Sequence, residues 1–168
     1  MRKSASTLAA SVIRVGKAAQ PILNLMQDHL LDADLVYGDE TRLWWVRSDG
    51  ANPPQMLLDK VVNPRPGNFA PDGRLAFSPA QGTGLPDVWT LPIDLKDPEH
   101  PKPGKAEPFL GEANRVEVDP AFSPDGKFIA YASNEEGTEQ VFVRPFPGLG
   151  GRWKVSVNGG KFPAWSAA

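Results

Sequence analysis

A five-residue motif occurs twice in this chain and constrains its fold more than any other feature. Phe69-Ala70-Pro71-Asp72-Gly73 returns as Phe122-Ser123-Pro124-Asp125-Gly126, 53 positions later. In such a motif, proline presets the backbone for the first central turn position, aspartate tolerates the second, and glycine supplies a positive φ at the exit. The motif therefore predicts two β-hairpins, whose turns are formed by Pro71, Asp72, Gly73, Pro124, Asp125 and Gly126.

Short β-patterned runs follow one another around the second copy of the motif. They cover residues 119–122, 127–133, 140–146 and 152–157, and each is separated from the next by its own turn or polar loop. Such a succession predicts a four-stranded antiparallel meander. A repeat of roughly 40–55 residues with four strands per unit is typical of the blades of a β-propeller.

The 53-residue offset also relates strands outside the hairpins. Val88-Trp89-Thr90 matches Val141-Phe142-Val143, and Leu43-Trp44-Trp45 fits the same third-strand position one unit earlier. Phe162 to Ser166 is similar to the first strand of a further unit. These matches predict a partial blade at 42–63, blades at 64–114 and 115–160, and the first strand of a truncated blade at 161–168.

The repeat resembles the TolB-type, WD-like β-propeller repeats of bacterial proteins, which are marked by an aromatic-Ser-Pro-Asp-Gly hairpin. The run from Val141 to Gly148, followed by Gly151 to Ser156, is similar to the propellers attached to some bacterial serine/threonine kinases. The resemblance covers about 42–168. It implies a mainly β fold, a partial propeller of about two to three four-stranded antiparallel blades. It implies no particular activity, because a fold does not fix a function.

Large aromatic residues recur at the strand positions where neighbouring blades would pack. Core packing is therefore the expected role of Trp44, Trp89, Phe142, Trp153 and Trp165. Trp45 alternates to the opposite face of its strand, where it could be exposed. The alternative is that these aromatic side chains form a contact surface for a peptide or a glycan.

The first 41 residues differ in character from the rest of the chain. Apolar residues recur there at spacings of three and four and predict an N-terminal α-helical segment; they are Leu8, Val12, Val15, Ala19, Ile22, Met26 and Leu30. Pro21 predicts a kink or a break near residues 19–20, because proline removes one helical hydrogen bond.

The same segment resembles part of the insertion-sequence transposases of the sixty-six group. The resemblance covers about 4–43 and is carried by Ser6 to Ala9, Val15 to Pro21, Asp28 to Leu31 and Gly38 to Thr41. In that family the aspartate of the Asp-Glu-Thr motif is the first acid of an Asp-Asp-Glu catalytic core. The resemblance therefore implies that Asp39 occupies the position of that acid.

Asp39 is nevertheless predicted to be inactive. Phosphoryl transfer on DNA needs two metal ions held by several carboxylates, and the family's other two acids have no counterpart here. The expected role of Asp39 is that of an acid at a turn or a strand end. Glu135 and Glu136 are expected in a solvated loop, and His29 and His100 have no metal-ligand spacing around them. No catalytic residue, metal site or cofactor is predicted, and the chain is expected not to be an enzyme.

Charge and hydropathy narrow the range of partners. A net charge of −2 gives no strong field toward nucleic acid, which is not an expected partner. There is no cysteine, and no apolar run approaches the roughly 20 residues of a membrane helix. Arg14 and Lys17 interrupt the apolar start, so a signal peptide is not expected. The location stays open: the chain is cytoplasmic as encoded, whereas propellers of this family are often extracytoplasmic.

Two functions remain in view. The first is a non-catalytic protein-interaction or scaffold module, a piece of a larger bacterial protein, that binds protein or associates with itself through open blade faces. The alternative is a transposase-derived, DNA-associated protein, an inactive remnant of an Asp-Asp-Glu transposase. Salt-dependent DNA binding would distinguish the two.

Overall fold

The computed structural model describes residues 35–47, 49, 52–79, 88–97, 99–111, 115–148 and 150–166. The helical segment predicted before the propeller lies, up to Asp34, outside the described residues. Those that are described belong to one compact unit and form antiparallel sheets, without a helix among them. The expectation of a mainly β chain is therefore confirmed. No helix of this described part is long and apolar enough to cross a membrane.

Sheet one is a three-stranded meander formed by β1 (Leu35–Gly38), β2 (Arg42–Val46) and β3 (Gln55–Asp59). It begins before Arg42, where the sequence placed the start of the first unit. The reason is that 35–38 pairs along its whole length with β2, from Leu35 opposite Val46 to Gly38 opposite Leu43. A register shift between Leu43 and Trp44 interrupts the pairing of β2 with β3.

Sheet two contains both strands of the first predicted hairpin. Its strands are β4 (Arg65–Phe69), β5 (Arg74–Ser78), β6 (Val88–Asp94), β7 (Lys102–Pro103) and β8 (Glu107–Leu110). Two short strands share one edge of β6: β8 pairs with its beginning and β7 with its end. Pro108 lies in this outer position, where the missing N–H of proline is tolerated.

Sheet three is a four-stranded meander in which β10 and β11 are the central strands. It consists of β9 (Glu117–Phe122), β10 (Phe128–Ser133), β11 (Gln140–Pro145) and β12 (Trp153–Lys154). The outer strand β12 is shorter than the run 152–157 expected from the sequence. Residues 161–166, expected as the first strand of a further unit, contain no strand.

The three sheets stack, with sheet two in the middle. Its side toward sheet one is filled by Leu75, Phe77, Leu91 and Ile93, which pack on Leu43, Trp45 and Leu57. Its other side brings Ala76, Val88, Phe109 and Leu110 against Phe122, Ile129, Tyr131 and Phe142 of sheet three. The first strands of the sheets are neighbours, because β1 lies against β4 and β4 against β9. One face of sheet one and one face of sheet three are left outside the stack.

Candidate interaction surfaces

The acids of the two repeated motifs hold backbone amides in their turns. The Asp72 carboxylate accepts the N–H of Arg74 at 3.0 Å, and that of Asp125 accepts the N–H of Lys127 at 3.1 Å. Gly73 and Gly126 leave these turns with φ values of 84° and 70°, a region that favours glycine. Both acids are therefore placed as hairpin acids.

Asp39 occupies the same kind of position between β1 and β2. Its Oδ1 accepts the backbone N–H groups of Thr41 at 2.9 Å and Arg42 at 2.8 Å, and its Oδ2 accepts Nε1–H of Trp44 at 2.7 Å. The Thr41 amide and the Trp44 indole lower the pKa of the Asp39 carboxyl. Both carboxylate oxygens are thus engaged in holding the turn.

One face of sheet one is apolar and open. We call it the sheet-one face; the strand register places its members side by side, and they are Leu35, Tyr37, Trp44, Val46 and Met56. Leu35 is 59% exposed and Met56 50%. The opposite face of the same strands carries Leu43 and Trp45 into the core. A sheet that is apolar on both faces is typical of a layer covered on both sides.

The outer end of sheet three carries a second apolar surface. Trp153 pairs with Val143, and Val155 and Val157 follow at alternate positions. We call Val143, Trp153, Val155 and Val157 the sheet-three face. Trp153 is 53% exposed, Val155 57% and Val157 81%. Trp153 pairs with Val143 whereas Phe142 pairs with Lys154, so Trp153 lies on the opposite face of sheet three from Phe142, which is in the core between sheets two and three.

A groove of about 390 Å³ lies where the chain beyond β12 returns to β9. It is lined mainly by prolines and aromatic rings, among them Pro66, Pro120, Phe162 and Trp165. Trp165 donates its Nε1–H to the carbonyl oxygen of Ala121 at 2.9 Å. Residues 161–166 are therefore held along β9 by side-chain hydrogen bonds rather than by strand pairing.

Asp119 lies in this groove in an unusual conformation. Its φ is 54°, in the left-handed region that aspartate adopts more readily than most residues. Burial raises the pKa of its carboxyl, against the opposing effect of nearby Arg65. No sequence signal marks this position, because Asp119 precedes Pro120 and a residue before proline is expected to be extended.

Glu135 is buried rather than solvated, contrary to expectation. Its carboxylate accepts Nη1–H of Arg115 at 3.1 Å and of Arg152 at 2.7 Å, with 3% of its side chain exposed. The Arg152 guanidinium lies 5.4 Å from the centre of the Phe142 ring. Two cations therefore compensate the buried charge and tie the loop before β12 and the segment before β9 to the loop that follows β10. Glu136, as expected, is exposed.

The predicted packing aromatics are placed differently from one another. Phe142 is buried at 2% exposure and Trp89 is partly buried, whereas Trp153 and Trp165 are exposed at 53% and 38%. The expectation for Trp45 is reversed: it is 3% exposed and packs edge-on against Phe69, with ring centroids 6.0 Å apart. Period-two alternation holds in β2, but sheet two covers the face that carries Trp45, not the face that carries Trp44.

The histidines and acids do not converge in the part of the chain that is described. His100 is exposed and contacts Asp97 at 3.1 Å, and His29 lies outside the described residues. Within those residues no group of three or more metal-ligating side chains comes together.

Comparison with known proteins gives two similarities. The profile of the Transposase IS66 family matches residues 1–55. A solved structure assigned as TolB, from Agrobacterium tumefaciens, matches with a TM-score of 0.54 and 17% identity, over 74% of this chain and 42% of that chain. The matched part is thus less than half the length of the TolB structure. A search of curated proteins finds no match. At this identity the structural likeness shows the fold alone, and it is TolB-like; both resemblances expected from the sequence are confirmed.

Proposed function

We propose that residues 35–166 are a partial β-propeller that acts as a non-catalytic protein-interaction module. The observation that carries the proposal is the pair of open apolar faces at the two ends of the sheet stack. Large contiguous patches of exposed apolar side chains mark interaction sites in soluble proteins. The sheet-one face and the sheet-three face are therefore the surfaces through which the module binds protein.

The placement of the acids supports a role without catalysis. In Asp39, Asp72 and Asp125, one carboxylate oxygen accepts a backbone N–H of the adjacent turn. Glu135 is compensated by two arginines. Each acid therefore has a structural task that accounts for its position.

Thiol labelling tests the proposal cleanly, because the chain contains no cysteine. Met56→Cys reports on the sheet-one face, Val155→Cys reports on the sheet-three face, and Lys127→Cys is the exposed control. Each variant is labelled alone and with an excess of total protein extract. We expect slower labelling at Met56→Cys and Val155→Cys, in concentrated pure protein or on adding extract, with Lys127→Cys unchanged. The proposal would be contradicted if neither concentrated protein nor extract slowed the labelling of Met56→Cys and Val155→Cys. Full protection of both positions in a dilute monomer would also contradict it.

A further inference from the structure

We infer that the protein bound by these faces is a second copy of the chain, and that two copies close one ring of six sheets. In this assembly the sheet-one face of each copy packs on the sheet-three face of the other. The inference rests on the proposed function and identifies its partner. Its first support is position, since the two faces lie at opposite ends of one three-sheet stack.

The chemistry of the two faces matches that of the contacts already made inside one copy. Sheet one packs on sheet two through aliphatic and aromatic side chains such as Leu43 and Trp45. The open faces present the same kinds of side chain, such as Tyr37, Met56 and Trp153. Packing one open face on the other thus repeats an arrangement that this fold already uses twice.

The exposed area favours a closed ring over a single contact. With large side chains of about 150–250 Å², the exposed fractions amount to roughly 300 Å² on each face. One contact would bury roughly 600 Å², which is in the range of incidental contacts, whereas two contacts would bury roughly 1,200 Å², which reaches the range of stable interfaces. A face that pairs with its own copy leaves the other face exposed. The reciprocal contact covers both.

The number of sheets fits closure. Contacts between two different faces either close into a ring or continue into a filament. Two copies provide six sheets, within the four to eight blades of propellers.

Directed cross-linking of the full chain tests this assembly. Sheets that pack face to face are about 10 Å apart, so a bis-maleimide reagent of about that span is suitable. We expect a cross-linked dimer when Met56→Cys and Val155→Cys are mixed, and at least five-fold less from either variant alone. Lys127→Cys mixed with Met56→Cys is the matched control and should give no dimer. Light scattering of the unmodified chain should give the mass of two copies.

A charged variant provides the second readout. Val155 and Val157 are both more than half exposed, so the double variant Val155→Lys/Val157→Lys should still melt cooperatively. Its mass in solution should fall to that of one copy. A monomer at all concentrations of the unmodified chain would overturn the inference, and so would dimers from Met56→Cys alone or an open-ended ladder of products. Suppose that the faces of such a monomer are labelled freely in pure protein but are protected by extract. The inference that the partner is a second copy then fails, and the proposed interaction module is retained. If neither condition protects them, the proposed function fails as well.

Discussion

At the scale of single residues, aspartates from two different sequence motifs make the same hydrogen bond to the backbone. Asp39, which the transposase resemblance implies is the first acid of that family's motif, accepts the N–H group two positions later, as Asp72 and Asp125 do. An aspartate at a strand end accepts the free amides of a tight turn. In this chain the chemistry of Asp39 is accordingly that of a hairpin.

Asp125 gives a prediction with a defined pH dependence. The Ser123 hydroxyl and then the Lys127 amide lower the pKa of its carboxyl below the usual 3.8. The ionised group is thus favoured in the folded state, so its contribution to stability is present above pH 3.8 and is lost as pH falls through its folded pKa. Asp125→Ala should lower Tm at pH 7, and the difference should shrink toward pH 2. Circular-dichroism melts across pH check this, with Asp125→Asn as the variant that keeps the shape. A loss of Tm that is independent of pH would contradict it.

For Asp119 the expected effect of ionisation on stability has the opposite sign. Burial raises the pKa of its carboxyl, so ionisation disfavours the folded state as pH rises above 3.8. Asparagine keeps the acceptor oxygen, carries no charge and also tolerates a positive φ. Asp119→Asn should therefore raise Tm at pH 7 and have little effect at pH 2, where both side chains are neutral. A lower Tm at pH 7 would show that the charge stabilises the groove, through Arg65 for example.

At the scale of elements, the sequence predicts where strands begin more reliably than which face is covered. The hairpins at Asp72 and Asp125 are predictable because proline, aspartate and glycine act locally on backbone angles. The burial of Trp45 is not predictable in this way, because it depends on packing against sheet two. The burial of Glu135 depends on two arginines that are distant in sequence. The same holds for Asp119, whose positive φ conflicts with the local rule for residues before proline.

Two aromatic residues of sheet three provide a matched pair. The Phe142 ring lies 6.0 Å from that of Tyr131 and is buried, whereas Trp153 is half exposed. Removing a buried phenylalanine costs about 3–5 kcal/mol through lost transfer energy and a residual cavity. Phe142→Ala should therefore lower the free energy of unfolding by about that amount. Trp153→Ala should cost within about 1 kcal/mol in the dissociated chain. Urea titration at low protein concentration measures both, and equal losses would mean that Trp153 also belongs to the core.

At the scale of the whole molecule, the similarity to the transposase family extends into sheet one, which packs on sheet two. The transposase-family match ends at Gln55, the first residue of β3, so β1 and β2 belong to it. Both strands also pack on sheet two, through Val36, Leu43 and Trp45. The last part of the transposase-like sequence thus lies in the core between sheets one and two. Asp39 itself is exposed, and its carboxylate is bound to the turn between β1 and β2 and to the Trp44 indole.

The DNA-associated alternative makes its own prediction. A protein that neutralises several phosphates loses affinity steeply with salt, with a slope of about −0.9 per phosphate contact on a log–log plot. With a net charge of −2, the full chain should bind duplex DNA weakly, and any slope should correspond to about one or two contacts. Fluorescence anisotropy with a labelled duplex at 20–200 mM salt measures this. Asp39→Asn tests the family motif in the same assay with Mg²⁺ and should change nothing, since among the described residues no set of acids comes together to bind the metal. A steep slope, or Mg²⁺-dependent binding that requires Asp39, would favour the transposase-derived role over the interaction module.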